Sequence, residues 1–132
     1  MSQENVETVR KSWDALMSGD TGARSVFDPN VIYENDLLPD DIGETYQGIE
    51  GVLKAWTLWA QPWEKLETDL EWVRGAGDEV VSCYLARMRG KGSGVAGEFR
   101  YAYLWRFRAG KVVFCKAYRH PSEALEAAGL SE

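Results

Sequence analysis

Tyr101 and Tyr103 stand two apart in a segment that alternates Phe99, Tyr101, Tyr103, Trp105 and Phe107 with Arg100, Ala102, Leu104 and Arg106. An extended chain with that spacing carries both phenols on one face. Among apolar neighbours their hydroxyls need partners and can donate to a ligand oxygen. Tyr33 and Asn35 have the same spacing and offer a polar end to a cavity. His120 is the sole histidine and can carry a proton near neutral pH. Arg87 offers a planar fork for a carboxylate, phosphate or enolate oxygen. Two cysteines and one histidine fall short of the roughly four ligands of a structural zinc site, so no metal is expected.

Such groups need a scaffold, and composition bounds it. The 132 residues suit one domain spanning the whole chain, residues 1–132. With 15 Lys+Arg against 21 Asp+Glu the net charge is −6, which argues against a nucleic-acid or anionic-membrane footprint. No apolar run approaches the roughly 18 residues of a membrane span. The opening Met-Ser-Gln-Glu-Asn is acidic and polar, unlike a signal peptide, so a cytoplasmic protein is expected. Six Trp and six Tyr are too bulky for decoration in a domain of this size; they line a core or a ligand cavity.

Val6, Val9, Trp13, Leu16 and Met17 share one helical face, which predicts a first helix over 3–17. A short helical turn should cover 21–27. Asp28-Pro29-Asn30 then breaks the chain before a strand at Val31-Ile32-Tyr33, and 35–47 has loop composition, with Asp40 and Asp41 as solvated acids. Val52, Leu53, Trp56, Trp59 and Trp63 fall at helical spacing, and Pro62 ends a helix over 49–60. Trp13, Trp56 and Trp59, on helical apolar stripes, read as core or cavity wall and favour a flat apolar ligand. Beyond Pro62 the period becomes two: Leu66, Thr68, Leu70 and Trp72 alternate with Glu67, Asp69 and Glu71. Further strands are predicted over 79–89, 98–108 and 111–119, then a short helix from Pro121 through Ala128. Helices followed by an antiparallel meander mean α+β, with helices on one side of a curved sheet.

The last hairpin decides which residues face inward. A two-residue Ala109-Gly110 loop would set Trp105 opposite Phe114. A three-residue loop with Gly110 left-handed sets Trp105 opposite Val113, Tyr103 opposite Cys115 and Tyr101 opposite Ala117. The second choice gives one coherent inner face: Phe99, Tyr101, Tyr103, Trp105, Phe107, Val113, Cys115 and Ala117, with Arg119 at its edge as a further ligand contact. The opposite face (Arg100, Arg106, Lys116, Tyr118) suits water. Cys83 and Cys115 then lie two strand spacings apart, about 10 Å, beyond disulfide reach.

The order of elements, the segment Tyr46-Gln47-Gly48-Ile49-Glu50-Gly51-Val52, and the closing Leu104-Trp105-Arg106-Phe107-Arg108-Ala109-Gly110-Lys111-Val112-Val113 with Glu123-Ala124-Leu125-Glu126-Ala127-Ala128-Gly129-Leu130 carry a resemblance over nearly the whole chain. It resembles the SnoaL-like, ketosteroid-isomerase-like branch of the nuclear-transport-factor-like superfamily. The resemblance implies an α+β cone (a cystatin-like α+β barrel) whose curved antiparallel sheet wraps the N-terminal helices around a deep apolar cavity. It also implies work without a cofactor and a homodimer paired through the sheet. Members include isomerases, polyketide cyclases, epoxide hydrolases and non-catalytic modules, so fold leaves function open.

The isomerase base position falls on Asn35, with Asp36 adjacent as the best-placed spare carboxylate; the oxyanion positions fall on Ser12 and Tyr103. Tyr33 and Asn35 match the water-holding pair of the epoxide hydrolases, but their Asp-Arg-Asp set falls on Leu85, Arg87 and Ala117. The cyclases' late-strand aspartate has no counterpart among Val113, Cys115 and Ala117. The resemblance turns Val81, Cys83, Leu85 and Arg87 inward, although alternation equally allows Val80, Ser82, Tyr84, Ala86 and Met88.

Three kinds of function follow. An enzyme performing cofactor-free isomerisation, cyclisation or hydration would use Asp36 or His120 as base, with Tyr103, Tyr101 and Arg87 stabilising an oxyanion. A binding protein would hold a small apolar oxygenated molecule with Trp13, Tyr33, Asn35, Trp56, Trp59, Arg87, Tyr101 and Arg119. An accessory or dimerisation module would instead use the exposed sheet face.

Overall fold

The structure, a computed structural model, describes residues 2–17, 25–36 and 45–130; the side chains of residues 2, 14–17 and 60 lie outside the description. The elements are α1 (Ser2–Met17), β1 (Phe27–Asn35), β2 (Thr45–Gln47), α2 (Gly48–Ala60), β3 (Trp63–Ala76), β4 (Glu79–Gly90), β5 (Ala96–Arg108), β6 (Lys111–Tyr118) and α3 (Pro121–Ala127). One six-stranded sheet has the order β2-β1-β6-β5-β4-β3. The expected meander is β3 to β6. The sheet is not wholly antiparallel, because β1 lies parallel to β6. Among the described residues no helix is long and apolar enough to cross a membrane.

On α1, Val9 and Trp13 are buried against the sheet, two of the residues on its predicted stripe. The predicted face positions of Leu16 and Met17, and residues 21–24 of the predicted turn, lie outside the description. Val52 and Ala55 anchor α2 to the same core. Its approach depends on two glycines. Gly48 has φ +73°, and a Cβ on Gly51 would stand 3.1 Å from the Tyr46 Cβ, so helix and β2 meet closely only without side chains there. Trp63 does not continue the α2 stripe; it begins β3.

The break at Asp28-Pro29-Asn30 falls inside β1 rather than before it. Residues 27 to 32 span only 112 to 114 of β6, an irregularity closed by the Asn30 N–H donating to Asp28 Oδ1 at 2.8 Å. Proline lacks an N–H for the ladder, so the strand bulges there. β2 was not expected: three residues in a stretch of loop composition pair antiparallel with Ile32, Tyr33 and Glu34.

The last hairpin corrects the predicted register. Arg108 pairs with Lys111, so the loop has two residues, with Ala109 at φ 51° and Gly110 at φ 80°. Between Arg106↔Phe114 and Phe107↔Val112 one extra residue, Val113, bulges out of β6. Trp105 therefore meets Cys115 and Tyr103 meets Ala117. Pairing is two residues from the expected one, which preserves parity. The inner face keeps its predicted residues except that Val112 replaces Val113 in the core.

A further bulge, at Glu71 in β3, moves Trp72 off the predicted Leu66–Thr68–Leu70 face. Trp72 packs instead on the outer side with Val81, Ala102 and Leu104, beneath Ala124 and Leu125 of α3. The outer face is thus partly covered, although Arg100 and Arg106 remain exposed. Cys83 pairs with Ala102 of that outer cluster, whereas Cys115 belongs to the inner core. The two thiols lie on opposite faces of the sheet and are free.

Candidate functional site

Along β5 the inner-face residues run from Phe99 through Tyr101, Tyr103 and Trp105 to Phe107, and the rings of neighbouring elements pack onto this row. Trp13 of α1 lies 4.1 Å from Tyr84 and 6.0 Å from Tyr103 between ring centroids. Tyr84 in turn lies 5.2 Å from Tyr101 and 5.4 Å from Tyr103. Trp56 of α2 stands edge-on to Tyr33 at 6.5 Å. Among the described residues these rings pack on one another. Trp13 and Trp56, expected as core or cavity wall, pack into the core.

Two polar chains run through the ring cluster. Asn35 Nδ2 donates to the Tyr33 hydroxyl at 3.1 Å, and Tyr33 donates to the Tyr103 hydroxyl at 3.3 Å. Register explains the meeting: Tyr33 lies opposite Cys115, while Asn35 and Tyr103 both lie opposite Ala117, all on the inner face. In the second chain Ser82 Oγ accepts from Trp105 Nε1 at 2.7 Å and shares a 2.6 Å hydrogen bond with the Tyr84 hydroxyl. Ser82 and Tyr84 belong to the face of β4 that alternation left open. The observed inner set is Val80, Ser82, Tyr84, Ala86 and Met88, which the resemblance alone had turned outward.

Burial pushes the phenols of Tyr33, Tyr84, Tyr101 and Tyr103 above the ordinary tyrosine range, and it pushes the Cys115 thiol up as well. They are hydrogen-bond donors at neutral pH, not bases or nucleophiles. Tyr103 accepts from Tyr33, and its own proton meets no acceptor among the described residues. The only buried polar or charged residues there are Asn5, Ser12, Asn35 and Ser82; none is a carboxylate or an imidazole.

Arg87 corrects the inward assignment. It is exposed and bonds Asp69 Oδ2 at 2.6 Å, with Glu98 3.7 Å away, on the outer face. Asp36 follows the inward Asn35, so alternation turns it away. It is exposed, its backbone N–H donates to Ala117 O at 3.1 Å, and its charge acts on Tyr118 of the outer face. The proposed trio of Asp36, Tyr103 and His120 is therefore not gathered in one buried cluster. Asp40 and Asp41 lie outside the described residues.

Open space occurs at the end of the sheet where Phe99 lies. A cavity of about 420 Å³ is lined by Trp59, Trp63, Phe99, Arg100, Arg119 and His120. Pro62 turns the chain between α2 and β3, so Trp59 and Trp63 meet edge-on at 5.8 Å. Trp59 also stands perpendicular to Phe99 at 5.6 Å and lies 6.1 Å from Tyr101, which connects the cavity wall to the inner row. Pro121 at the start of α3 ends the preceding strand and leaves Arg119 and His120 at the rim. Trp59, Arg119 and His120 were sequence candidates. Trp63 was read only as the last residue at helical spacing, and Phe99 only as part of the inner face. Two further cavities sit elsewhere, one of about 700 Å³ beside Glu4, Asn5 and the β5–β6 turn, the other of about 430 Å³ beside Met88 and Gly97.

Among curated proteins none matches the chain by sequence. In fold it is similar to an NTF2-like protein of unknown function from Burkholderia pseudomallei K96243, at 19% identity over 93% of this chain and 95% of that one, with a TM-score of 0.75. It is also similar to a putative SnoaL-like polyketide cyclase from Jannaschia sp. CCS1, at 20% identity over 89% and 85% of the two chains and a TM-score of 0.74. A protein with a ketosteroid isomerase-like fold from Catenulispora acidiphila DSM 44928, solved in complex with trimethylamine, shares 21% identity over 92% of each chain with a TM-score of 0.68. The model of the SnoaL-like domain matches residues 9–115. With the sheet curled around its rings and that match spanning most of its length, the chain belongs to the SnoaL-like domain family.

Proposed function

We propose that this protein binds a small, largely apolar, oxygen-bearing molecule at the open end of its cone, against Trp59, Trp63 and Phe99. The cavity of about 420 Å³ walled by those rings carries the reading. Its size falls within the few hundred to 1,000 Å³ of small-molecule sites, and its make-up of apolar walls with a few polar groups is typical of them. The likeness in fold to a putative SnoaL-like polyketide cyclase supports a ligand of this kind. Flat ring surfaces select a flat ligand, and the row through Tyr101 to Tyr103 supplies phenol donors beneath the cavity floor. The interior lacks a carboxylate or imidazole among the described residues, which favours binding over internal general-base catalysis.

Calorimetric titration with 2-acetylnaphthalene tests the reading. Saturable binding is expected, weakened about tenfold in Trp59→Leu through loss of stacking area, with circular dichroism confirming that the variant folds. Absence of binding, or an unchanged affinity in a folded Trp59→Leu, would contradict it.

A second reading rests on His120, which lines the same cavity: there it would act as the base of a cofactor-free isomerisation. Turnover of an enolisable ketone that disappears in His120→Gln while ketone binding persists would favour that reading. The further expectations of a homodimer and a cytoplasmic location remain part of the proposal, and sizing by light scattering checks the first.

A further inference from the structure

The charge lining the mouth cavity has one sign. Arg100, Arg119 and His120 contribute to its wall, and no acidic residue among the described residues does. Arg100 is already neutralised, because Glu71 receives its Nε at 2.7 Å and its Nη2 at 3.2 Å. Arg119 is not. Its Nη2 donates to the backbone oxygen of Asp36 at 3.3 Å, and no carboxylate among the described residues forms an ion pair with it. A guanidinium has five N–H donors in a planar fork, so most of this fork is left for another acceptor. In a chain of net charge −6, a cation with no carboxylate partner among the described residues, beside three aromatic walls, selects for the opposite sign in whatever enters.

We infer that the molecule held at the cone mouth is an aromatic or similarly flat apolar acid, its rings against Trp59, Trp63 and Phe99 and its carboxylate on Arg119. This rests on the cavity being the binding site and adds the charge class of the ligand. The planar fork of one arginine matches a planar carboxylate in two parallel hydrogen bonds. The exposed rim tempers the gain, since water screens a pair there.

Calorimetry with naphthalene-2-carboxylate and naphthalene-2-carboxamide, equal in shape and different in charge, tests the inference at low ionic strength. The acid should bind about five- to tenfold more tightly than the amide, a range between exposed and charge-assisted pairs, and added salt should narrow the gap. Arg119→Gln should erase the preference by weakening the acid alone. Arg108→Gln removes the same charge at the β5–β6 turn and should leave the preference intact. Equal binding of acid and amide, or a preference that survives Arg119→Gln, would overturn the inference. If 2-acetylnaphthalene binds while the acid shows no advantage, only the charge class falls. If none of the three binds, the cavity reading and this inference fall together.

Discussion

The residues that decide the chemistry are phenols kept as phenols. Tyr33, Tyr84, Tyr101 and Tyr103 are buried, and desolvation disfavours their charged form before any neighbour acts. The sign for stability follows. Unfolded tyrosine ionises near pH 10, so between that value and the raised native ones the unfolded chain has lost protons that the folded chain retains. Stability is fully present below about pH 10 and declines as pH rises above it. Ultraviolet titration of tyrosinate should show these four phenols silent until the protein unfolds, with their absorbance change coinciding with loss of circular dichroism. Their free titration near pH 10 in the folded protein would refute their burial. The inward phenols of β5 were legible because the alternation Phe99–Phe107 is strict. Arg87 was misplaced for a physical reason: β4 is apolar on both faces, its outer Val81 lying under α3, so hydropathy alternation could not assign its sides.

At the scale of elements, bulges and turns carried what patterns could not. Ala109 has φ 51° in the β5–β6 loop, a left-handed conformation costing an L-residue roughly 1–2 kcal/mol. Ala109→Gly should therefore stabilise the protein by about 0.5–1 kcal/mol after the extra chain entropy of glycine, read as a shift in the denaturant midpoint at unchanged slope. A destabilised Ala109→Gly would contradict the two-residue loop. Sequence favoured a three-residue loop because Ala-Gly is a weak signal beside Asn-Gly. The inner face survived the error because the Val113 bulge restored even parity. At Glu71 no compensation existed in the pattern, so Trp72 was assigned to the wrong face. β2 was hidden because three residues carry too little alternation to stand out from a loop. Pairing with β1, rather than propensity, makes it a strand.

For the whole molecule, helices followed by a meander sufficed to read α+β with a curved sheet, and the resemblance carried by the closing segments implied the cone and its family. The site was less legible, because this fold hosts both catalysts and binding modules and its function resides in individual side chains. The resemblance implied a deep hollow; there Trp13, Tyr33, Tyr84, Tyr103 and Trp105 pack their rings on one another, and the cavity walled by Trp59 and Trp63 lies at the mouth. The most direct test follows the six indole N–H signals in a nitrogen–proton correlation spectrum during titration with 2-acetylnaphthalene. The signals of Trp59 and Trp63 should move together and saturate, while that of Trp72, beneath α3 on the outer face, stays fixed. A spectrum in which Trp59 and Trp63 do not respond, or in which Trp72 responds in their place, would contradict a ligand site at the mouth of the cone.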